Sequence, residues 1–594
     1  QMGKELFKNI PSKVGDLVKD VRNGRIGLPD LQRPFVWRDN KVRELFDSML
    51  KGYPIGYIML WESPVDYESK KSTIGDNSKT YEEPKELVID GQQRLTALVA
   101  AMFAVKVKDK NFADREIKIS YNPLTREFAV WSQAYEKDTE WISRISDVFL
   151  AKEDNSISSL RRHFIKEANE GRGKKELPLL TDEEEDRIED NINALLNLSD
   201  YSLPTLEISY TADEEDVADI FVRVNSGGQS LTENNFIQTL ISVYENETSD
   251  KINAFAAASR VPAANTSYNT LLAIEPSHLI RMAVGVGFKR ARLRYAYMLL
   301  RGKNLETGKF SDEVRHENLQ IFKDALDKVM NLNNWHSFIN IVAEAGYISD
   351  KLIASSNAIV FSYVLYLIAK YDYKLDAAQL KKCTSKWFFM STITYFYTGS
   401  TESEVEKQFA DLRDVHTAAE FIAYIDRVIE THFTDDYFSL TLPNELNSAA
   451  AISPAWYGYV AAQIVLNTPM LFSNTPVSKY FILGSSGTKN AIDKHHIFPK
   501  NYLTGIGFTS DRDRNQIANF TYLDYATNIE ISDKAPQDYV PHYRQKLGED
   551  GYYKACKEHA LPENFEHMEY ADFLSQRRLL MAQIIRKAYE QLCE

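Results

Sequence analysis

Two hydrophobic periods divide this chain. Over roughly the first 245 residues, short alternating or wholly apolar runs read as strands. Between them, apolar residues return every three or four positions, as on an amphipathic helix. Val14, Leu17, Val18 and Val21 have the helical spacing and predict a helix within residues 4–24. Prolines at 29 and 34 exclude a regular helix from residues 28–37, which read as an extended loop leading into a helix over 40–50. A turn at 52–56 precedes a strand at 57–61, and the polar stretch 62–84 reads as a flexible loop. Leu87, Val88 and Ile89 form a strand that ends in Asp90-Gly91-Gln92-Gln93-Arg94, with a helix over 95–103 beyond. Residues 117–121 and 127–131 alternate as a hairpin around Asn122-Pro123. Residues 152–198 read as helical and charged, broken at Gly171-Arg172-Gly173. A strand at 203–209 follows, and a helix at 214–222 delivers Arg223 and Asn225 into a glycine-rich turn.

From about 250 to 440 the period is helical throughout, with helices expected over 271–286, 316–332, 335–344, 358–371 and 418–431. Residues 433–453, polar with Pro443 and Asn444, read as a linker. A helix at 454–466, a Gly/Ser loop at 484–490 and an amphipathic helix at 572–592 complete the chain. The expected organisation is an α+β multidomain protein: a mixed domain over 4–245, a mostly helical scaffold over 246–440, and a third domain over 450–594. A length of 594 residues exceeds what one core supports.

Composition is that of an ordinary globular protein, at 44% hydrophobic and 26% charged, and 33 Tyr and 30 Phe argue against disorder. The apolar run 358–369 is too short to span a membrane and fits a buried helix. Gln1 before Met2 reads as an expression scar, and no secretory signal is expected after it. Cys383, Cys556 and Cys593 are far apart, which excludes a disulfide framework or a zinc knuckle and fits a cytoplasmic location. The net charge of −14 disfavours a protein that coats nucleic acid, although a basic groove can sit on an acidic body. Three basic segments are candidates for such a groove or for solvated helix faces: Arg161-Arg162 to Lys174-Lys175, Lys289 to Lys303, and Arg577-Arg578 with Arg586-Lys587. The aromatic runs Trp387-Phe388-Phe389 and Tyr395-Phe396-Tyr397 suit base stacking or, more commonly, a core.

Two stretches carry candidate chemistry. A strand, a glycine turn and a helix start at Asp90-Gly91-Gln92-Gln93-Arg94 form an anion site, since free N–H groups and the positive end of the helix dipole point outward. Gln92 and Gln93 add amide donors, Arg94 adds a planar guanidinium suited to phosphate, and Asp90 could orient water or a metal. The competing reading is a helix start capped by Asp90. No Gly-x-x-x-x-Gly-Lys-Ser/Thr stretch is present, so this is no conventional phosphate loop. The second stretch is Asp493-Lys494-His495-His496-Ile497-Phe498-Pro499, followed by Asn519 and Asn528. A neutral imidazole can take a proton from water near pH 7, and a divalent cation can offset charge on a phosphate. Adjacent residues of a strand face opposite ways, so both histidines serve one site only through a bulge or twist. A strand over 519–523, then a turn or helix reaching Asn528, completes the order.

These motifs carry two resemblances. Residues 492–534 resemble the ββα-metal HNH endonuclease fold, in the branch without zinc cysteines. The resemblance implies His496 as general base, His495 and Asn528 as metal ligands, Asn519 as a brace for the base's loop and Asp493 as a further ligand or partner. It also implies Mg²⁺ or Mn²⁺, with the His495 imidazole leaving the preference open. Leu31-Gln32-Arg33-Pro34-Phe35-Val36-Trp37, Asp90-Gly91-Gln92-Gln93-Arg94-Leu95-Thr96 and Phe221-Val222-Arg223-Val224-Asn225-Ser226-Gly227-Gly228 resemble the N-terminal domain of GmrSD-type restriction proteins, including single-chain BrxU- and SspE-like members. That domain is ParB/sulfiredoxin-like. By resemblance Gln32, Arg33, Asp90, Gly91, Gln92, Gln93, Arg94, Arg223 and Asn225 bind and hydrolyse a nucleotide, GTP or ATP. The implied protein is a cytoplasmic, modification-dependent, type IV-like endonuclease that cuts modified phage double-stranded DNA. Whether it forms a homodimer is left open, and no membrane is implied. Rival readings are a phosphorothioate-sensing NTPase and nicking protein, and a nucleotide-controlled DNA-binding protein with an idle nuclease centre.

Overall fold

The computed structural model describes residues 6–28, 34–62, 85–212, 245–309, 311–484 and 494–594, together with 216, 217, 220, 224, 237, 238 and 241. The expected loop at 62–84 thus falls outside the described residues from 63 on. So do Gln32, Arg33, Arg223, Asn225, Asp493 and most of the expected helix at 214–222. The chain is a mixed α+β protein that divides into two compact units, Gln1–Ala257 and Ala258–Glu594.

The first unit is built on a five-stranded sheet of strands β1 (Phe7–Ile10), β2 (Ile26–Gly27), β3 (Ile58–Glu62), β4 (Glu86–Asp90) and β9 (Thr205–Ile208), in the order β1-β9-β3-β4-β2. The intervening β5 (Val107–Lys108) pairs with β6 (Asp114–Arg115), and β7 (Ile119–Asn122) with β8 (Glu127–Val130). Strand β3 is central, antiparallel to β4 and parallel to β9. Ile58 to Trp61 and Leu87 to Ile89 are buried in unbroken runs, as expected of strands covered on both faces. Helices α1 (Val14–Arg22), α2 (Asp39–Leu50) and α3 (Gln92–Phe103) bury their apolar sides in the same core, where each fully buried side chain contributes about 1.5–3 kcal/mol.

The sequence expectation differs at two places here. Helix α3 begins at Gln92 rather than 95, because Gly91 takes the cap position with φ of 84° and leaves no obstacle to helix from the next residue. Asp90 is accordingly not the cap. Its Oδ1 accepts from the Gly91 N–H at 2.8 Å. The expected break at 171–173 is also absent, since one helix runs from Ile157 to Lys174. Gly171 sits against Thr139, where a Cβ would fall 2.1 Å from the threonine hydroxyl, so that glycine serves a close approach rather than a stop.

The second unit is almost wholly helical. Expected helices appear at Asp312–Val329, Leu332–Glu344, Ser356–Tyr371 and Ala418–His432, while the first starts late, at Pro276–Phe288. Pro276 at its opening and Glu275 as a capping-box residue fix that start. Trp387, Phe388, Phe389 and Tyr397 are buried, with the Trp387 indole donating to the Tyr397 hydroxyl at 2.9 Å, so these aromatics are core. The expected linker at 433–453 contains a π-helical turn at Tyr437–Thr441 and a helix at Leu442–Glu445, with Tyr437, Phe438, Leu442 and Leu446 buried. Pro443 is tolerated because it lies at the start of its helix, where no N–H is needed. The helix Ala377–Ile393 packs on both Pro454–Val465 and Tyr570–Cys593, so the helical stretch and the histidine-bearing stretch lie in one unit.

The two stretches come close at Gly346. It has φ of 93°, and a Cβ there would lie 2.2 Å from the backbone oxygen of Ala461. Gly346→Ala combines backbone strain with an overlap that no rotamer relieves, and should destabilise by roughly 3 kcal/mol. Urea unfolding followed by tryptophan fluorescence measures this, and a change below about 0.5 kcal/mol would contradict the packing described.

Candidate functional site

In the first unit, Asp90 closes β4 and Gln92 to Arg94 form the first turn of α3. No side chain caps this helix. The Arg94 guanidinium is half-buried between two glycines, Gly56 (φ 95°) and Gly91. A Cβ at Gly56 would lie 2.8 Å from Arg94 Nη2, and one at Gly91 3.4 Å from Nη1. Arg94 Nη1 donates to the Tyr57 carbonyl at 2.8 Å, and burial lowers the pKa of the guanidinium, opposed by Asp90 and Tyr57. The two amides are turned towards the protein rather than outward. Gln92 Nε2 donates to the Val88 carbonyl at 3.1 Å, and Gln93 Oε1 accepts from the Val36 N–H at 3.1 Å. That last bond ties α3 to the loop holding Phe35 and Trp37. Gln92 Oε1 is buried and has no described partner, an acceptor left over at the helix start. Gly56 was not among the residues expected here, because only the fold brings it against Arg94.

In the second unit, β10 (His495–His496) pairs antiparallel with β11 (Phe520–Thr521), and the helix Tyr525–Ile531 follows, carrying Asn528. Asp524 caps that helix by accepting from the Thr527 N–H at 2.7 Å. The histidine strand, the second strand and the helix follow in the expected order, but the connection holds short helices at Lys500–Gly505 and Asp511–Arg514, and the strand expected over 519–523 is only Phe520–Thr521, with Asn519 in the 3-10 turn before it. The register is regular, with His495 opposite Thr521 and His496 opposite Phe520, so the two imidazoles leave on opposite faces of β10. The His496 ring meets Phe520 edge-on at 5.1 Å. His496 Nε2 lies 2.8 Å from Asn515 Oδ1. An amide oxygen can only accept, so Nε2 holds the proton and Nδ1 keeps its lone pair. Burial lowers the His496 pKa below 6.5, with Lys500 and Arg514 adding to this and the Asn515 bond opposing it. The imidazole is therefore neutral near pH 7.

Asn519 is fully buried and locks this hairpin. Its Oδ1 accepts from the Phe498 N–H at 2.8 Å, while its Nδ2 donates to the Phe498 carbonyl at 3.0 Å and to the Arg514 carbonyl at 3.3 Å. Arg577 corrects a sequence expectation. Rather than forming a surface patch with Arg578, it is 0% exposed, and its Nη1 donates to the carbonyls of Ala518 at 2.7 Å and Phe520 at 2.6 Å. Its Nη2 donates to the His559 carbonyl at 3.2 Å. Arg577 thereby holds the backbone on both sides of Asn519. The Lys289 to Lys303 segment is neutralised in part: Lys289 pairs with Asp372 at 2.7 Å and Arg290 with Glu406 at 3.5 Å. Asn515, Arg577 and Gly56 were missed in the sequence because their partners are tens of residues away. Among the described residues no three His, Cys, Asp or Glu side chains are grouped to hold a metal ion.

Residues 14–242 match the family model of the GmrSD restriction endonuclease N-terminal domain, so this part of the chain is similar to that domain. An uncharacterized protein of Methanocaldococcus jannaschii, MJ0686, is 25% identical over 556 residues, spanning 88% of this chain and 85% of that protein. No helix among the described residues is long and apolar enough to cross a membrane.

Arg577→Met leaves three buried carbonyls without a donor and should cost about 3 kcal/mol, with Arg577→Lys intermediate. Denaturant titration reads this out, and a Met variant as stable as the parent would remove the bracing role.

Proposed function

We propose that this protein is a modification-dependent, type IV-like DNA endonuclease of anti-phage defence, in which a nucleotide, GTP or ATP, bound and hydrolysed by the first unit controls cutting by the second. The observation that carries the reading is the His496–Asn515 bond. It leaves a neutral imidazole with its basic nitrogen free, on a hairpin rigidified by Asn519 and Arg577. That is what a general base for hydrolysis requires. The strand-loop-strand-helix order and the placing of Asn528 on the helix support an HNH-type centre.

The opposite facing of His495 and His496 suits a phosphate at the free edge of β10, since among the described residues that strand pairs with β11 alone. An in-line displacement has its attacking and leaving oxygens on opposite sides of phosphorus. In this reading His496 takes the water's proton on one side, and His495 serves the other. The described donors for an ion are the His495 imidazole and the Asn528 amide oxygen, with Asp493 proposed as a third. So few protein ligands fit an ion such as Mg²⁺ or Mn²⁺ that retains much of its own water. When bound, the ion would offset charge on the phosphate and the leaving oxygen.

In the first unit the Arg94 guanidinium, set between Gly56 and Gly91 at the uncapped start of α3, would hold the nucleotide's phosphates. Asp90 would orient the attacking water. Gln32, Arg33, Arg223 and Asn225 complete the proposed set.

His496→Ala should lower DNA cleavage at least about 100-fold and leave nucleotide hydrolysis intact. Equal loss of both activities would contradict the division of labour. Conversely, Arg94→Ala should abolish most nucleotide turnover in a phosphate-release assay, and parental turnover in that variant would remove the phosphate role assigned to Arg94.

A further inference from the structure

Lys494 directly precedes the histidine pair, and nothing above gives it a task. It is half-buried, yet no carboxylate among the described residues lies within ion-pair distance of its ammonium, and it makes no hydrogen bond to a described residue. The head group lies 4.9 Å from the centre of the Phe520 ring and 5.8 Å from that of Trp456. Aromatic faces attract a cation without saturating it, because the ammonium has three N–H donors and a ring can take only one. A partly desolvated ammonium with donors left over is an anion site, since the missing partner is an acceptor with negative charge.

Its position says which anion. Residues two apart on a strand share a face, so Lys494 and His496 lie on the same side of the hairpin. Both side chains converge on one ring, Phe520, at 4.9 and 5.1 Å from its centre. The ring opposite His496 thus sets the spacing between a base and a cation. A phosphodiester offers non-bridging oxygens beside the phosphorus that water attacks, and charge on them grows in the transition state. Lysine suits that task as a compact point charge.

We propose that Lys494 is a further catalytic residue that contacts a non-bridging oxygen of the scissile DNA phosphate, positioned by Phe520 and Trp456. This rests on the nuclease reading for its chemistry, but the phosphate contact itself can be tested separately.

The test uses the full chain and a DNA duplex that it binds. Methionine removes the charge and keeps an apolar stem over the two rings, so Lys494→Met should fold, and Lys494→Arg retains the charge. Single-turnover cleavage at saturating DNA should fall roughly 10- to 100-fold in K494M, with partial rescue in K494R. The slope of log affinity against log salt should become shallower by about one in K494M and stay unchanged in His496→Ala. K494M cutting at the wild-type rate overturns the proposal. H496A cutting at the wild-type rate overturns the nuclease reading instead. If no protein cuts, the salt slope decides: a loss of about one unit in K494M supports the phosphate contact, and an unchanged slope overturns it.

Discussion

Everything proposed for the second unit depends on one buried amide. Asn519 both accepts from the Phe498 N–H and donates to the Phe498 carbonyl, so two segments 21 residues apart are held by paired hydrogen bonds. In a dry interior such bonds are costly to leave unmade, at about 1–3 kcal/mol for each orphaned group. The site can therefore exist in one register only. Arg577 extends the constraint: its guanidinium is held in the core by carbonyls of Ala518, Phe520 and His559, which ties the C-terminal helix to the hairpin. The third Asn519 bond reaches the Arg514 carbonyl, one residue before Asn515, which in turn holds His496. A chain of local contacts thus runs from the core to the ring nitrogen that sets the tautomer.

The first unit solves a related problem with glycine. A guanidinium close to a helix start needs space beside the backbone, and Gly56 and Gly91 supply it at positive φ. Gly56 lies just before β3 and Gly91 just after β4, so the pairing of these two adjacent strands sets the two glycines on either side of Arg94. The guanidinium is tied to the backbone by its bond to the Tyr57 carbonyl, which would lower the ordering cost of the phosphate binding proposed above.

Much of this was legible in the order of residues. Helical spacing located α1, α2 and the long helices of the second unit, and the strand, glycine and helix start around Asp90 were readable as one motif. The spacing of His495, His496, Asn519 and Asn528 indicated a hairpin and helix. What escaped was tertiary. Gly171 reads as a breaker because the sequence does not show Thr139 pressed against it. Arg577 reads as a surface charge because its three carbonyl partners lie in other segments. Pro443 and Asn444 suggest a linker until Leu442 and Leu446 are seen to be buried. Asn515 sat unremarked among polar loop residues, since only the folded loop brings it to His496.

The proposed division of labour has the hairpin cut DNA and the first unit gate that cutting. The most direct measurement is cleavage of matched phage DNAs, unmodified, hydroxymethylated, glucosylated and phosphorothioated, by the purified protein with Mg²⁺ or Mn²⁺, with and without ATP or GTP. Cutting confined to the cytosine-modified DNAs and altered by nucleotide is the expected result. Tight binding of all four DNAs with no cutting of any would contradict it and leave a DNA-binding protein with an idle nuclease centre, whereas a response governed by the phosphorothioate would replace the mark assigned here.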